Sequence, residues 1–398
     1  MTSCKAFDIV ISGGGLSGAL TALSLSQFNQ QNGEKLSIAI VENAPINRTP
    51  SLNFDDRVLA LSHQSVSYLA DLGVWQYMQS QATPIETIHI SDQGNYGKAR
   101  IYAHEHQVSA LGVVIEMALI GQSIYQALSA FSNITWFCPN AIDQVDYQAE
   151  QVKVTLNDGE RLTAKLLLGC DGGHSVVRKA AGIETTSKPY HQSAVIANVS
   201  TAKKHQNVAY ERFTQSGPLA MLPLSKDRCS LVWTLTPERA EEVKLLDDEA
   251  FKKALYEAFG GWLGEISQTG ARFVYPLHLI QAREQVFHRT VLLGNASHTI
   301  HPIAGQGFNL GLRDTKVLAE VLEQATANGE DIGGLKLLDS YQTMRKTDHQ
   351  QVIGLTDSLV TLFSNDLPPL VAGRNIGLKA LNYFNCVKQP FVAKTMGY

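Results

Sequence analysis

The chain has 398 residues, beyond the ~250–300 at which a single hydrophobic core stops growing, so two or more packed units are expected. With 44% hydrophobic and 18% charged residues and 31 glycines, its composition excludes disordered and collagen-like classes. A formal net charge of −4 and a pI near 6.3 give no support to nucleic acid as a partner.

From the amino terminus, Ala6–Ser12 reads as a buried strand that ends in Gly13-Gly14-Gly15, and Leu16–Phe28 follows at helical spacing. A second buried strand over Leu36–Glu42 completes a βαβ unit, which implies parallel pairing. After a loop over Asn43–Phe54, the apolar spacing of Val58–Leu72 predicts a helix stopping at Gly73. Thr87–Ser91 and Ala99–Tyr102 read as strands around a turn-rich Asp92–Gly97. Helical spacing returns over Glu116–Phe131, followed by strands at Ile134–Phe137, Ala141–Tyr147 and Val152–Leu156.

Ala194–Val199, Val208–Phe213, Leu219–Leu224 and Cys229–Leu235 are regularly spaced strands, a meander unlike the opening βαβ. Val291–Leu293 is a short buried strand and Gly311–Asn328 an amphipathic helix. From Leu338 the tail is helical, with interruptions expected at Pro368-Pro369 and Gly373. The division that follows is discontinuous: a nucleotide-type unit from 1–82, 106–183 and 286–338, a sheet unit from 83–105 and 184–285, and a helical segment over 339–398.

The five cysteines (Cys4, Cys138, Cys170, Cys229, Cys386) form no CxxC pair and no metal spacing, which suits a reducing, cytoplasmic compartment and predicts no metal. Lys5 and Asp8 interrupt any signal peptide, and Glu116 breaks the most apolar window, so no spanning helix is expected. Peripheral contact with an inner membrane stays open.

Three segments carry chemistry. Gly13-x-Gly15-x-x-Gly18 lies between strand and helix, with Glu42 ending the next strand; the glycines allow a tight turn, pyrophosphate approach and close helix packing. An acid at Glu42 suits FAD or NAD by accepting ribose hydroxyls. Asp171-Gly172 follows the apolar run Leu166–Leu168, although such pairs are also common turns. The third segment, Gly294-Asn295-Ala296-Ser297-His298 through Pro302, Gly305-Gln306-Gly307, Asn309 and Asp314, feeds a glycine-dense loop into a helix start.

In order and spacing these segments resemble the single-component flavoprotein aromatic hydroxylases over nearly the whole chain. The run Asp55–Ser62 together with GNASHTIHPIAGQGFNLGLRD is similar to the ubiquinone-biosynthesis group that acts on polyprenyl methoxyphenols. The resemblance implies an α/β fold: a Rossmann-like FAD-binding domain with an inserted β-sheet substrate domain and a helical C-terminal segment, like p-hydroxybenzoate hydroxylase. It implies FAD as cofactor, NADH or NADPH as reductant and O₂ as co-substrate, with a flavin C4a-hydroperoxide hydroxylating the ring of a 2-polyprenyl-6-methoxyphenol. Other ubiquinone-biosynthesis proteins are implied as partners.

The implied cofactor residues are Gly13, Gly15, Gly18 and Glu42 for the ADP half, Asp171 and Gly172 at the pyrophosphate, and Asn295, Gly305, Gln306, Gly307 and Asn309 at ribitol and flavin. Arg57 either pairs with phosphate or guards the flavin, against an ion pair with Asp55 or Asp56. His298 and Pro302 are the candidates for facing flavin or substrate, while His298 and His301 suit loop stabilisation equally. Asn295 stands where the wider family carries Asp, which removes a negative charge. Cys170 reads as a packed residue and Tyr210, Phe213 and Trp233 as core. Leu355–Phe363 and Ile376–Phe391, with Lys379 and Lys388, fit either interfacial docking or packing onto the FAD domain. Two alternatives stay open: a flavin-dependent reductase of isoprenoid double bonds, and a FAD-stabilised assembly subunit of a quinone-biosynthesis complex.

Overall fold

The computed structural model describes residues 4–46, 55–363, 365 and 367–397, so most of the loop expected over 43–54 lies outside the described residues. The opening run folds as β1 (Lys5–Ser12), α1 (Leu16–Leu25) and β2 (Ile38–Val41). Ile9, Val10 and Ile11 are fully buried, as a parallel strand covered on both faces requires. Ile9 lies opposite Ile38 in the parallel ladder.

The segment expected as one helix over Val58–Leu72 is instead β3 (Val58–Ser62) followed by α2 (His63–Asp71). Ser62 divides them: extended backbone places its hydroxyl to accept from the Ser65 N–H at 3.3 Å, a helix N-cap. Next come β4 (Thr83–Ile85), β5 (Thr87–Asp92), β6 (Lys98–Tyr102), β7 (Gly112–Glu116) and α3 (Met117–Leu128). The sequence reading missed β4 and β7, which form with β3 a small antiparallel sheet in the order β3-β7-β4.

β8 (Ile134–Phe137), β9 (Ile142–Tyr147), β10 (Val152–Leu156), β11 (Arg161–Gly169) and α4 (Val176–Ala180) follow. The meander then contains β12 (Thr185–Thr201), β13 (Val208–Thr214), β14 (Gly217–Pro223) and β15 (Arg228–Leu235). Two helices that the sequence reading missed, α5 (Pro237–Leu245) and α6 (Asp248–Phe259), bury Val243, Phe251, Leu255 and Phe259 on one face of that sheet.

After β16 (Ile266–Thr269) and the long β17 (Phe273–Ala282), the chain returns through β18 (Val286–Phe287) and β19 (Thr290–Leu292). β20 (His298–Thr299) precedes α7 (Gln306–Ala327), α8 (Leu335–Phe363), α9 (Pro368–Tyr383) and α10 (Asn385–Met396). Pro368 and Pro369 open α9 at its first turn, where a missing N–H costs nothing, and Gly373 lies inside that helix without ending it.

Two large sheets result. One has the order β18-β19-β11-β1-β2-β8, with β10 and β9 attached through β11; the other runs β20-β17-β12-β15-β14-β13-β5-β6, with β16 on β12. Two ladders cross the division expected from sequence, since β4 pairs with β7 and β20 with β17. The carboxyl-terminal helices are held by buried ion pairs to both bodies: Arg345 to Asp314 of α7 at 2.5 Å and Arg374 to Asp92 of β5 at 2.8 Å. Val360 and Phe363 are buried, and the Phe363 ring stacks on Phe213, so this half of the tail packs on the β5–β6 edge of the second sheet.

Candidate functional site

β1, β11 and β19 are neighbours running in parallel, with Ser12 opposite Gly169 and Gly169 opposite Leu292. Their carboxyl ends therefore deliver all three motif segments to one edge of the sheet, and β2 brings Glu42 beside them. Ligands of open α/β sheets bind along such an edge.

The glycines have distinct roles there. Gly13 has φ +96° and no room for a side chain, because a Cβ would meet the Cys170 carbonyl oxygen at 2.6 Å. Gly15 caps α1 without any side-chain bond, and a Cβ there would meet nothing within 4 Å, so the helix N-terminus faces open space. Gly18 packs directly onto the Gly13 carbonyl. Gly294 places the third segment against α1, where a Cβ would meet Ser17 Oγ at 2.5 Å.

Glu42 accepts from the Gly14 N–H at 2.6 Å and from the Ala44 N–H at 2.8 Å, which fixes its carboxylate beside the glycine turn. Asp171 accepts from the Val176 and Val177 N–H groups through Oδ2, while its Oδ1 is buried without a protein partner. Gly172 takes φ +79°. Asn295 is exposed on the turn after β19. An uncapped helix N-terminus and an orphaned carboxylate oxygen at one edge fit a dinucleotide such as FAD, which supplies phosphate for the first and hydroxyl donors for the second.

Below this edge lies a cavity of about 310 Å³. Its first wall is β3 together with Gly112, Met117 and the loop residues Pro302, Gly305, Gln306 and Asn309. Its second wall is the face of the other sheet that carries Ile196, Glu211, Ala220 and Val232, and α10 adds Val392, Thr395 and Met396. Arg57 is exposed and also lines it.

Asn309, expected at the cofactor, uses all four of its amide bonds on the protein. It accepts from the Ser62 N–H and the Ser65 hydroxyl, and donates to the Ala60 and Gly305 carbonyls at 2.9 and 2.8 Å. It thereby pins the loop to β3, where Gly305 (φ +61°) would bring a Cβ within 3.0 Å of Ala60. Gly307 stands in the first turn of α7 beside Ile300.

His298 does not line the cavity, which corrects the expectation that it faces flavin or substrate. Its ring is 1% exposed, edge-on to His349 and 3.8 Å from Asp314, and burial holds its pKa down at about 4. His301, also buried, packs edge-on against Tyr190, and burial lowers it likewise to about 4. His298, Asp314 and His349 could together hold a metal ion, yet Asp314 is already committed to Arg345, whose guanidinium repels a cation. Despite its burial, Asp314 stays ionised with its pKa lowered to about 2 by His349, Arg345 and His298. The five cysteines are free, and burial raises the Cys170 thiol, against any redox use.

Sequence reasoning missed Glu211, a carboxyl on the cavity wall next to Tyr210, which it had read as core. Strand alternation across β13–β15 was the signal available, since Glu211 falls on the same face as Ala209.

Comparison with known proteins identifies the family. Residues 6–356 match the family model described as FAD binding domain. The chain is 33% identical over 396 residues to the ubiquinone hydroxylase UbiL of Rhodospirillum rubrum, covering 99% of this chain and 90% of that protein. It is 31% identical over 400 residues to 3-demethoxyubiquinol 3-hydroxylase of Escherichia coli, covering 98% of both. In three dimensions it matches the p-nitrophenol 4-monooxygenase PnpA of Pseudomonas putida with a TM-score of 0.79 at 19% identity, over 98% of each chain.

Proposed function

The chain belongs to the FAD-binding domain family as an FAD-dependent monooxygenase of the ubiquinone-biosynthesis group, and from that premise we propose that it hydroxylates the aromatic ring of a 2-polyprenyl-6-methoxyphenol. The observation that carries the reading is the largely apolar cavity beside the Pro302–Asn309 loop, whose walls suit a prenylated ring. Gly13, Gly15, Gly18 and Glu42 hold the adenosine half of FAD with the α1 N-terminus at its phosphate, Asp171 accepts from a cofactor hydroxyl next to the pyrophosphate that Gly172 approaches, and Asn295 with Gly305, Gln306 and Gly307 holds the ribitol and flavin. Arg57 and Pro302 border the ring pocket. Asn309 positions the loop. The discontinuous unit over 1–82, 106–183 and 286–338 serves the cofactor, and 83–105 with 184–285 serves the substrate.

When bound, FAD would pass electrons from NADH or NADPH to O₂, one atom of which enters the ring while the other leaves as water. The chain's own part is to seat the ring between β3 and the second sheet, to exclude water with Val392 and Met396 of α10, and to fix the loop through Asn309.

A tailed phenol of this kind partitions into lipid, so we also propose that the protein meets a membrane surface through α9 and the start of α10. Support comes from Ile376, Tyr383 and Phe384, which are 68%, 75% and 59% exposed close to the helix that lines the cavity. Lys379 lies among them, but Lys388, expected to flank the same face, is buried against Glu105. No helix among the described residues is long and apolar enough to cross a membrane.

The test uses purified protein with a panel of short-tail prenyl methoxyphenols, following NAD(P)H oxidation, O₂ uptake and ring products. Hydroxylated ring in proportion to NAD(P)H is expected. Peroxide as the sole product across the panel would defeat the assignment, and double-bond reduction without O₂ uptake would replace it.

A further inference from the structure

We propose that Glu211 is the base that takes the phenolic proton of the ring substrate, an inference that rests on the ring hydroxylation proposed above. Its position follows from strand register. Glu211 of β13 lies opposite Ala220 of β14, which lies opposite Val232 of β15, which lies opposite Ile196 of β12. All four line the cavity, so this carboxyl stands in a row of apolar side chains that point at the same space. The alternate row, Tyr210, Met221 and Leu231, faces the core under α6.

Glu211 has no hydrogen-bond or ion-pair partner among the described residues. An unpaired carboxylate facing an apolar space is costly, and nothing in the packing of β13 requires one. Burial pushes its pKa up to about 7. Arg57, from the segment before β3, is the other charged side chain that the described residues bring to this cavity. The Tyr210 phenol is turned to the opposite face, against Trp262 and His89. A carboxyl that changes charge near neutrality, aimed into the ring pocket, is the form a general base takes.

The step needs no reagent beyond the O₂ and NAD(P)H of the proposed reaction. The phenolic O–H bond breaks as the Glu211 O–H bond forms, and the electron pair left on oxygen enriches the ring positions ortho and para to it. Because a phenol ionises near ~10, the proton moves as the ring is attacked rather than before. The O–O bond of the O₂-derived oxidant breaks as OH joins the ring, the proton lost from the attacked carbon passes to the oxygen anion left behind and restores aromaticity, and Glu211 returns its own proton to the phenolate oxygen.

The experiment compares Glu211→Gln and Glu211→Asp with the unmodified FAD-loaded protein across pH 5.5–9, reading ring product against peroxide. FAD absorbance serves as the folding control. Glu211→Gln should lower hydroxylation by about 10²-fold, raise the peroxide fraction and abolish the acidic limb of the pH profile near 7. Glu211→Asp should restore part of the rate and the limb. Hydroxylation by Glu211→Gln at the unmodified rate with the limb intact would overturn the role of Glu211 and leave ring hydroxylation standing. Absence of ring product from the unmodified protein would overturn both.

Discussion

Glu42 does two things at once: its carboxylate closes the glycine turn through Gly14 and Ala44, and the same group borders the proposed ribose position. Glu42→Lys replaces an acceptor with a donor, and a charge-assisted bond contributes ~1.5–3 kcal/mol, so FAD affinity should fall at least about tenfold. A flavin fluorescence titration measures this, and unchanged affinity would remove Glu42 from the site. Asn309→Leu strands the Ala60 and Gly305 carbonyls and the Ser62 N–H together, so the thermal midpoint and the hydroxylation rate should both drop. Loss of activity at an unchanged midpoint would instead mark Asn309 as a direct ligand.

Three buried histidines set the acid side of stability. Burial lowers His298, His301 and His89 to about 4, with Arg100, Lys98 and Arg212 adding to the effect at His89. Their folded values lie below the ordinary ~6.5, so the unfolded chain binds more protons and stability falls as pH drops from 6.5 to 4. Each fully buried ring can remove roughly 1.4 kcal/mol per pH unit over that window. Asp314, held at about 2, adds a further loss as pH falls from about 4 towards 2. Urea unfolding should show a lower midpoint at pH 4.5 than at pH 7, and an equal or higher midpoint would refute the burial argument.

At the scale of elements, the βαβ start was legible because Ile9–Ile11 and Ile38–Val41 are covered on both faces and leave continuous apolar runs. The three motif strands were legible for the same reason, but their adjacency was not, since Ser12, Gly169 and Leu292 meet only through parallel ladders that sequence spacing does not encode. Val58–Leu72 misled because a half-buried strand and an amphipathic helix share apolar positions over five residues; the Ser62 cap was the missed divider. Better signals were available for α5 and α6. Thr236 followed by Pro237, and Asp247 followed by Asp248 and Glu249, are helix starts whose caps accept from Arg239 and Ala250. The cavity was the least legible feature, because Glu211, β3 and α10 come from three distant parts of the chain.

At the scale of the whole molecule, two kinds of surface coexist on the carboxyl-terminal helices. Their inner faces are tied by Arg345–Asp314 and Arg374–Asp92, while Ile376, Tyr383 and Phe384 stay in solvent. Ile376→Glu with Phe384→Glu should therefore abolish flotation with phosphatidylethanolamine–phosphatidylglycerol vesicles while leaving the thermal midpoint within about a degree, as exposed substitutions do. Equal flotation of both proteins would rule out this face as the contact.

The interleaving of the two sheets also fixes a timetable for synthesis. β1 finds β2 within forty residues of chain, but its other neighbour, β11, waits for residue 161, and β11 waits for β19 at residue 290. The hairpin of β5 and β6 emerges more than a hundred residues before β13, the strand it joins. A ribosome adding 5–20 residues per second, as is usual (roughly), leaves that hairpin edge unpaired for seconds, and refolding of the whole chain must close the same long loops. Folding should accordingly be slow and prone to aggregation at the β5 edge, with FAD entering only after β19 has joined its sheet.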